Sequence, residues 1–320
     1  MTSPAPARLP AGVALTGAVI VGVLTALQAR INGQLGLRLG DGFVAAAISF
    51  GSGLVLLIVL SAILPAGRRG FGRLRAGIRD RTIPWWMLAG GVAGAFTVAT
   101  QGLAVAVIGV SLFTVGVVAG QTISGLVLDR AGYGPAGVVA ITVPRLIGGL
   151  LALIAVGVSL QDGVLEQVPW WMLVMPVIAG VGIAWQQATN GRLRQRVGTP
   201  LTATLVNFIG GTTMLVIAAA VHVALVGAPA AFPVEPWLYL GGVIGVTYIF
   251  MSAALVVHTG VLLLGLGTVA GQLVTAFALD AVWPAAAAPG WTTELLMVVI
   301  AGAGVVIAAA PGARRGRPAR

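Results

Sequence analysis

Arg145 stands in the stretch "ITVPRLIGGLLALIAVGV" (141–158), and no other ionisable residue follows it before Asp162. A permanently charged guanidinium near the centre of a membrane helix costs about 2.5 to 3.5 kcal/mol on insertion scales. Such a residue therefore faces an aqueous cavity or a partner. Pro144 precedes it, removing a helix hydrogen bond and leaving the carbonyl of Ala140 without its usual donor. An interrupted helix that carries an arginine is suited to holding an anion. The competing expectation is that Arg145 pairs with Asp129 or with helix-end carbonyls. Nine residues beyond the turn at Ala136, Arg145 would lie about 13 Å deep, and Gln121, eight residues before Asp129, about 12 Å deep. Together with Gln272, the counterpart of Gln121 in the repeat described below, they are expected to line a cavity near the midplane for an anionic or zwitterionic group.

A second polar set lies in "LQARINGQLG" (27–36), where Gln28, Arg30 and Asn32 end an apolar run, and a near copy, "QQATNGRLRQ", returns at 186–195. Gln28 and Asn32 are four apart and share a helix face, as do Gln186 and Asn190. Interhelical hydrogen bonds that fix two helices are one reading, and a polar lining at the two mouths of a pathway is the other. Arg30 has no copy. Trp185, beside Gln186, either contacts a substrate or packs in the core. Tyr248 and Gln101 are secondary candidates.

Other chemistries lack their residues. Without cysteine there is no disulfide, thiolate metal site or cysteine nucleophile. His222 and His258 stand apart, without ligand spacing, and are expected to be packing residues rather than metal ligands. No metal and no cofactor is expected. The chain has no H-E-x-x-H, no G-x-S-x-G, no phosphate loop and no paired intramembrane carboxylates, which argues against an enzyme or an ATP-driven pump.

These side chains must be positioned by membrane helices. The 320 residues are 58% hydrophobic and 8% charged, with a mean hydropathy of +1.03. A soluble domain carries about 25% charge. The net charge of +10 is due to arginine alone. These arginines separate apolar runs and do not cover a polar domain, so they read as topology signals, and no nucleic-acid partner is expected. A bilayer core takes about 20 apolar residues per helix. Ten such runs cover 11–31, 43–64, 86–107, 110–128, 137–160, 171–190, 201–226, 237–257, 261–279 and 293–311. They lack the alternation of a barrel, so helices are the only spanning structure left. An even count puts both termini on one side, and fifteen arginines fall there: Arg8, six from Arg68 to Arg81, Arg130, Arg192, Arg194, Arg196 and four from Arg314 to Arg320. By the positive-inside rule that side is cytoplasmic.

The chain also repeats itself. At an offset of 158 residues Gln28, Asn32, Gly33, Leu35, Gly40, Phe50 and Gly53 match Gln186, Asn190, Gly191, Leu193, Gly198, Phe208 and Gly211. At an offset of 151, "GGVAG" (90–94) matches "GGVIG" (241–245), "GVVAGQ" (116–121) matches "GTVAGQ" (267–272), and Asp129 matches Asp280. Five spans per half is an odd number, so the halves, 1–166 and 167–320, are expected to enter the membrane in opposite directions as an inverted repeat. The pairs Gly116/Gly120 and Gly267/Gly271 put small residues on one helix face, as do Gly90/Gly94 and Gly241/Gly245. They invite close helix packing within the chain or, as the alternative, a homodimer seam. Trp85, Trp86, Trp170, Trp171, Trp237 and Trp291 lie at span ends, where the headgroup zone suits them.

Two five-span halves, each with a Q-x-x-x-N-G element, a following F-x-x-G segment and a late G-x-x-x-G-Q helix, resemble the YdcZ-type family of the drug/metabolite transporter superfamily over nearly the whole chain. The resemblance implies an all-α, ten-helix exporter of the bacterial inner membrane, surrounded by lipid and acting on a small solute. The chain is also similar, more distantly, to the small multidrug exporters, but the glutamate of their first helix is replaced here by Gln28. That departure argues against proton-coupled export of a cation.

Overall fold

The computed structural model describes residues 10–134, 137–138, 141–158, 164–285 and 287–309, with side chains not described at 11, 164–165, 256–263, 266 and 308–309. His258, Arg8, Asp162 and the arginines after 313 lie outside the described residues or side chains.

Long apolar runs can satisfy their backbones only as helices, and the described residues form helices without a strand. In chain order these are α1 (Ala11–Leu39), α2 (Gly42–Ile63), α3 (Pro65–Arg79), α4 (Gly90–Ile108), α5 (Val110–Arg130), α6 (Val143–Val158), α7 (Val164–Gln167), α8 (Trp170–Val197), α9 (Pro200–Val226), α10 (Gly241–Val282) and α11 (Trp291–Ala309). Six segments are long and apolar enough to cross a bilayer: Gly12–Leu39, Gly42–Ile63, Trp85–Ile108, Val110–Arg130, Trp170–Val197 and Pro200–Val226. Four shorter apolar segments follow the same pattern: Val143–Val158, Gly241–Leu255, Gly267–Val282 and Trp291–Ile307.

Gly40 (φ 64°) and Gly198 (φ 76°) close α1 and α8 in the left-handed region, which costs a glycine little. Asp41 opens α2: its Oδ1 accepts from the Phe43 and Val44 amides at 2.9 and 3.0 Å, and its Oδ2 lies 2.9 Å from His222 Nδ1 on α9. His222 is thus a partner of a helix cap. Asp41→Ala should cost about 1 to 2 kcal/mol through the lost cap, read as a lower unfolding midpoint in detergent. A His222→Ala change that costs as much would show that the histidine contact, not the cap, dominates.

Along α10 (Gly241–Val282) the sequence reading places two spans, 237–257 and 261–279. A straight helix of 42 residues would be about 60 Å long, with its ends far apart. Yet the Gly241 carbonyl accepts from Gln28 Nε2 and Asp280 pairs with Arg30, two residues along α1. Leu255 meets Gly17 and Gly267 meets Ala18, one residue apart on α1. The chain therefore doubles back between Leu255 and Gly267, and both arms of α10 run along α1.

Two further differences concern the start of elements. The arginine-rich stretch after α2, which hydropathy reads only as a loop, forms α3. Its buried positions, Gly67, Gly70, Leu74 and Gly77, recur at helical spacing. Leu74 packs with Leu193, Val197, Ala203 and Val206, and Arg73 Nη1 reaches the Val197 carbonyl at 3.5 Å, near the negative end of the α8 dipole. The 137–160 run becomes helical only at Val143, because proline fits the first turn of a helix, where its missing N–H has no acceptor to serve. Pro144 therefore opens α6 and does not interrupt it.

The two halves interlock. α4 and α5 pack on α8, while both arms of α10 pack on α1. Backbones touch at these seams because glycines remove the side chain. A Cβ at Gly120 would overlap the Val177 carbonyl, and one at Gly180 the Val117 carbonyl. Likewise a Cβ at Gly271 would overlap the Val19 carbonyl, and one at Gly22 the Thr268 carbonyl. Gly116 faces Pro176, and Gly267 faces Ala18 and Leu15. These glycine faces are thus occupied by helices of the same chain. α2 crosses α9 through the stacked rings of Phe50 and Phe208, 4.7 Å apart, each lying over the other half's glycine, Gly211 and Gly53.

Candidate functional site

Polar side chains gather at two ends of the bundle. At one end Gln28 Nε2 donates to the Gly241 carbonyl (2.8 Å) and Asn32 Nδ2 to Gln101 Oε1 (2.7 Å), all buried. Gly241 and Gly245 admit these amides: a Cβ on either would strike Asn32 Oδ1 or Gln28 Nε2. At the other end Gln186 Nε2 and Asn190 Nδ2 both donate to Asn207 Oδ1, at 2.8 and 3.1 Å. Gly90 and Gly94 hold the same relation to Asn190 and Gln186. The Q-x-x-x-N elements thus meet glycine pairs of the opposite half in both places. The third members differ: Gln101 completes the first cluster and Asn207 the second. Asn207 carries no mark in the sequence beyond being an amide in an apolar run, whereas its counterpart at the 158-residue offset is Ser49.

Arg145 lies elsewhere than mid-span. It occupies the first turn of α6, half-buried, with Nη1 3.0 Å from Asp129 Oδ2. The expected cavity formed with Gln121 and Gln272 would need Arg145 deeper than α6 places it. Gln121 and Gln272 themselves sit at the α5/α8 and α10/α1 crossings, where their backbone nitrogens border Gly180 and Gly22. Each carries a buried side-chain oxygen, Oε1, without a hydrogen-bond partner. Val118 and Val269, three residues before each, belong to one small core, so the two glutamines stand one turn beyond a shared seam.

A charged cluster that sequence reading misses lies at the first end. Arg30 (2% exposed), Asp280 (3%) and Glu294 (4%) are all buried. Arg30 Nη1 is 3.8 Å from Asp280 Oδ1, Arg30 Nη2 donates to the Trp283 carbonyl, and the guanidinium lies 5.1 Å from the Trp283 ring. Asp280 also accepts from the amides of Val110 (3.0 Å) and Ser111 (2.6 Å), capping α5. Glu294 borders Ser111 and Asp280. The carboxylates were not legible as a pair because fourteen positions and the end of α10 separate them. With two amides and a guanidinium engaged, Asp280 is a structural clamp on three helices, α1, α5 and α10.

Trp185 is held by its own hydrogen bond: Nε1 donates to Tyr133 Oη (3.1 Å), which is also 3.2 Å from Thr189 Oγ1. Arg192 lies over Tyr133 and Trp86, 5.0 and 5.7 Å from the ring centres, and donates to the Gly132 carbonyl at 2.8 Å. Tyr133 in the α5–α6 connection is the unforeseen member of this cluster. A groove of about 720 Å³ lies between α1 and α10, lined by Val13, Ile20, Phe250 and Leu255 among others. It contains none of the glutamines, asparagines or arginines discussed above. Among the described residues no group of three or more His, Cys, Asp or Glu side chains converges as a metal site would require.

The family described as "Putative inner membrane exporter, YdcZ" matches residues 13–159 and again 165–308. No curated protein matches the chain. Nine chains of solved structures do. One of them, described only as "Crystal structure of protein", superposes with a TM-score of 0.52 at 18% sequence identity, covering 94% of this chain and 97% of its own. At that identity the likeness concerns the fold alone.

Proposed function

The chain belongs to the YdcZ family of inner-membrane exporters, and from that premise we propose that it is a secondary-active carrier of a small solute working by alternating access between two inverted halves. The observation that carries this reading is the exchange of contacts between halves: Gln28 and Asn32 rest on Gly245 and Gly241, and Gln186 and Asn190 rest on Gly94 and Gly90. Successive matches of one family to 13–159 and 165–308 support the same duplication. The reversal within α10 and the four shorter apolar segments beside the six long ones are compatible with the ten spans expected from hydropathy. With ten spans both termini lie on one side, and the arginine-rich ends of α3 and α8 make that side cytoplasmic.

Magnitudes decide which contacts open. Interhelical hydrogen bonds in membranes contribute about 0.6 kcal/mol each on average. Only Gln28–Gly241 joins the two halves; the Asn32–Gln101 bond and the two to Asn207 each lie within one half. Each amide cluster therefore holds the halves together by about 1 kcal/mol or less. A preference of about 1.4 kcal/mol is tenfold in population, within reach of solute binding. Exposing one partner of the buried Arg30–Asp280 pair would cost about 3 to 5 kcal/mol, so this contact stays shut. The Gln/Asn clusters are therefore the two gates, and the unpartnered oxygens of Gln121 and Gln272 between them are the first polar contacts a solute meets.

The test uses the absence of native cysteine. Asn32→Cys and Asn190→Cys proteins, each in proteoliposomes, are probed with a membrane-impermeant thiol reagent applied from either side. Solutes come from a thermal-shift screen of metabolite anions, amino acids and organic cations. A solute that drives counterflow should raise labelling at one position and lower it at the other. Parallel changes at both, or counterflow with no change at either, would refute alternating access through these gates.

A further inference from the structure

We propose that α3 and the adjoining groove form a binding site for an anionic phospholipid, with Arg68 and Arg75 holding the phosphate and one acyl chain lying between α2 and α9. The groove has a volume of about 390 Å³ and is lined by Ile58, Ser61, Ala62, Phe71, Leu205 and Ile209, with Arg68 as its one charged side chain. Its walls carry no amide or carboxylate to recognise a polar metabolite, and apart from Arg68 and the Ser61 hydroxyl, which has no hydrogen-bond partner, hydrocarbon suits the side chains that line it.

The charge arrangement specifies the headgroup. α3 buries Gly67, Gly70, Leu74 and Gly77 against the protein. Phe71 and Ile78, 51% and 46% exposed, flank that face, and at helical spacing Arg68 and Arg75 follow them on the same side, two turns apart. Arg73 faces away and is engaged with α8. A helix with apolar residues at its foot and arginines just above them lies in the membrane interface. Its arginines are then at phosphate level, and no acidic residue occurs among positions 65–79 to neutralise them. Basic pockets beside membrane helices on the cytoplasmic face are where anionic headgroups bind. The site is built because α3 is tied down: Gly70 lies against Thr199 and Thr202 of the α8–α9 corner. A lipid bridging α2, α3 and α9 would thus hold that corner, next to Asn207.

The experiment measures lipid binding to the purified protein in detergent by native mass spectrometry and by thermal shift. The probes are phosphatidylglycerol, phosphatidylcholine and inorganic phosphate. Phosphatidylglycerol should bind in preference to phosphatidylcholine and raise the unfolding temperature, and phosphate alone should do neither. At about fivefold per arginine near an anionic surface, R68Q/R75Q should weaken phosphatidylglycerol about 25-fold and abolish the preference. A62F, which fills the groove and leaves both arginines, should weaken it as well. Both sites of change are exposed, so the fold should survive. Equal binding of the two lipids, or phosphatidylglycerol binding unaltered in R68Q/R75Q, would overturn the proposal. Stabilisation by inorganic phosphate equal to that by lipid, or an A62F protein that binds like the parent, would overturn the acyl-chain part.

Discussion

Arg30→Ala should destabilise the folded protein by about 3 to 5 kcal/mol, the usual cost of removing one partner from a buried ion pair. The reason is what remains. Asp280 and Glu294 would be left together in a site where both are at least 96% buried, with only the α5 amides and dipole to offset the charge. The Trp283 carbonyl would lose its donor in the same step. Arg38→Ala is the internal comparison: Arg38 and Glu235 lie closer, 3.0 Å apart against 3.8 Å for Arg30 and Asp280, but their side chains are 55% and 34% exposed. An exposed pair contributes about 0 to 1 kcal/mol. The two variants are compared by denaturant unfolding in mixed micelles. If Arg30→Ala costs no more than Arg38→Ala, the clamp is not holding α1, α5 and α10 together. Adding Asp280→Asn to Arg30→Ala should recover part of the loss, since the uncompensated charge is then gone.

The second large effect is expected at the glycine seams. Gly120→Val and Gly271→Val each place a branched side chain where even a Cβ would overlap a backbone carbonyl, Val177 or Val19. Overpacking usually costs about 1 to 3 kcal/mol. A carbonyl in a helix cannot rotate away as a side chain can, so both should lie at the upper end of that range, seen as lost folded yield in size-exclusion profiles and a lowered midpoint. Gly125→Ala, in the same α5 helix with nothing within 4 Å, should instead be neutral or stabilise by up to about 1 kcal/mol through helix propensity. Similar behaviour of Gly120→Val and Gly125→Ala would mean that α5 and α8 are not in close contact. Matched losses at Gly120 and Gly271 would also be expected if the two seams are related by the repeat.

The membrane class, six of the spans and the correspondence of Gln28/Asn32 with Gln186/Asn190 were legible in the residues alone. Hydropathy, turn residues and internal identity are local or directly countable. A helix of about 20 apolar residues is long enough to cross a bilayer whatever it packs against. What only the tertiary structure decided is which element meets which. The amides of α1 and α8 close on glycines of the opposite half, and Arg30 finds Asp280 from the far end of the chain. Asn207 and Tyr133 emerge as partners with no motif of their own. Depth was misread at Arg145 because it depends on where a helix begins, and Pro144 sets that point at the start of α6. α3 was missed because glycine and arginine lower hydropathy even when every third or fourth position is buried. Sequence therefore determined an all-helical membrane chain whose residues match one family over 13–159 and again over 165–308. Contacts between helices distant in the chain depend on close packing in three dimensions, and only the folded arrangement shows how the two halves hold each other.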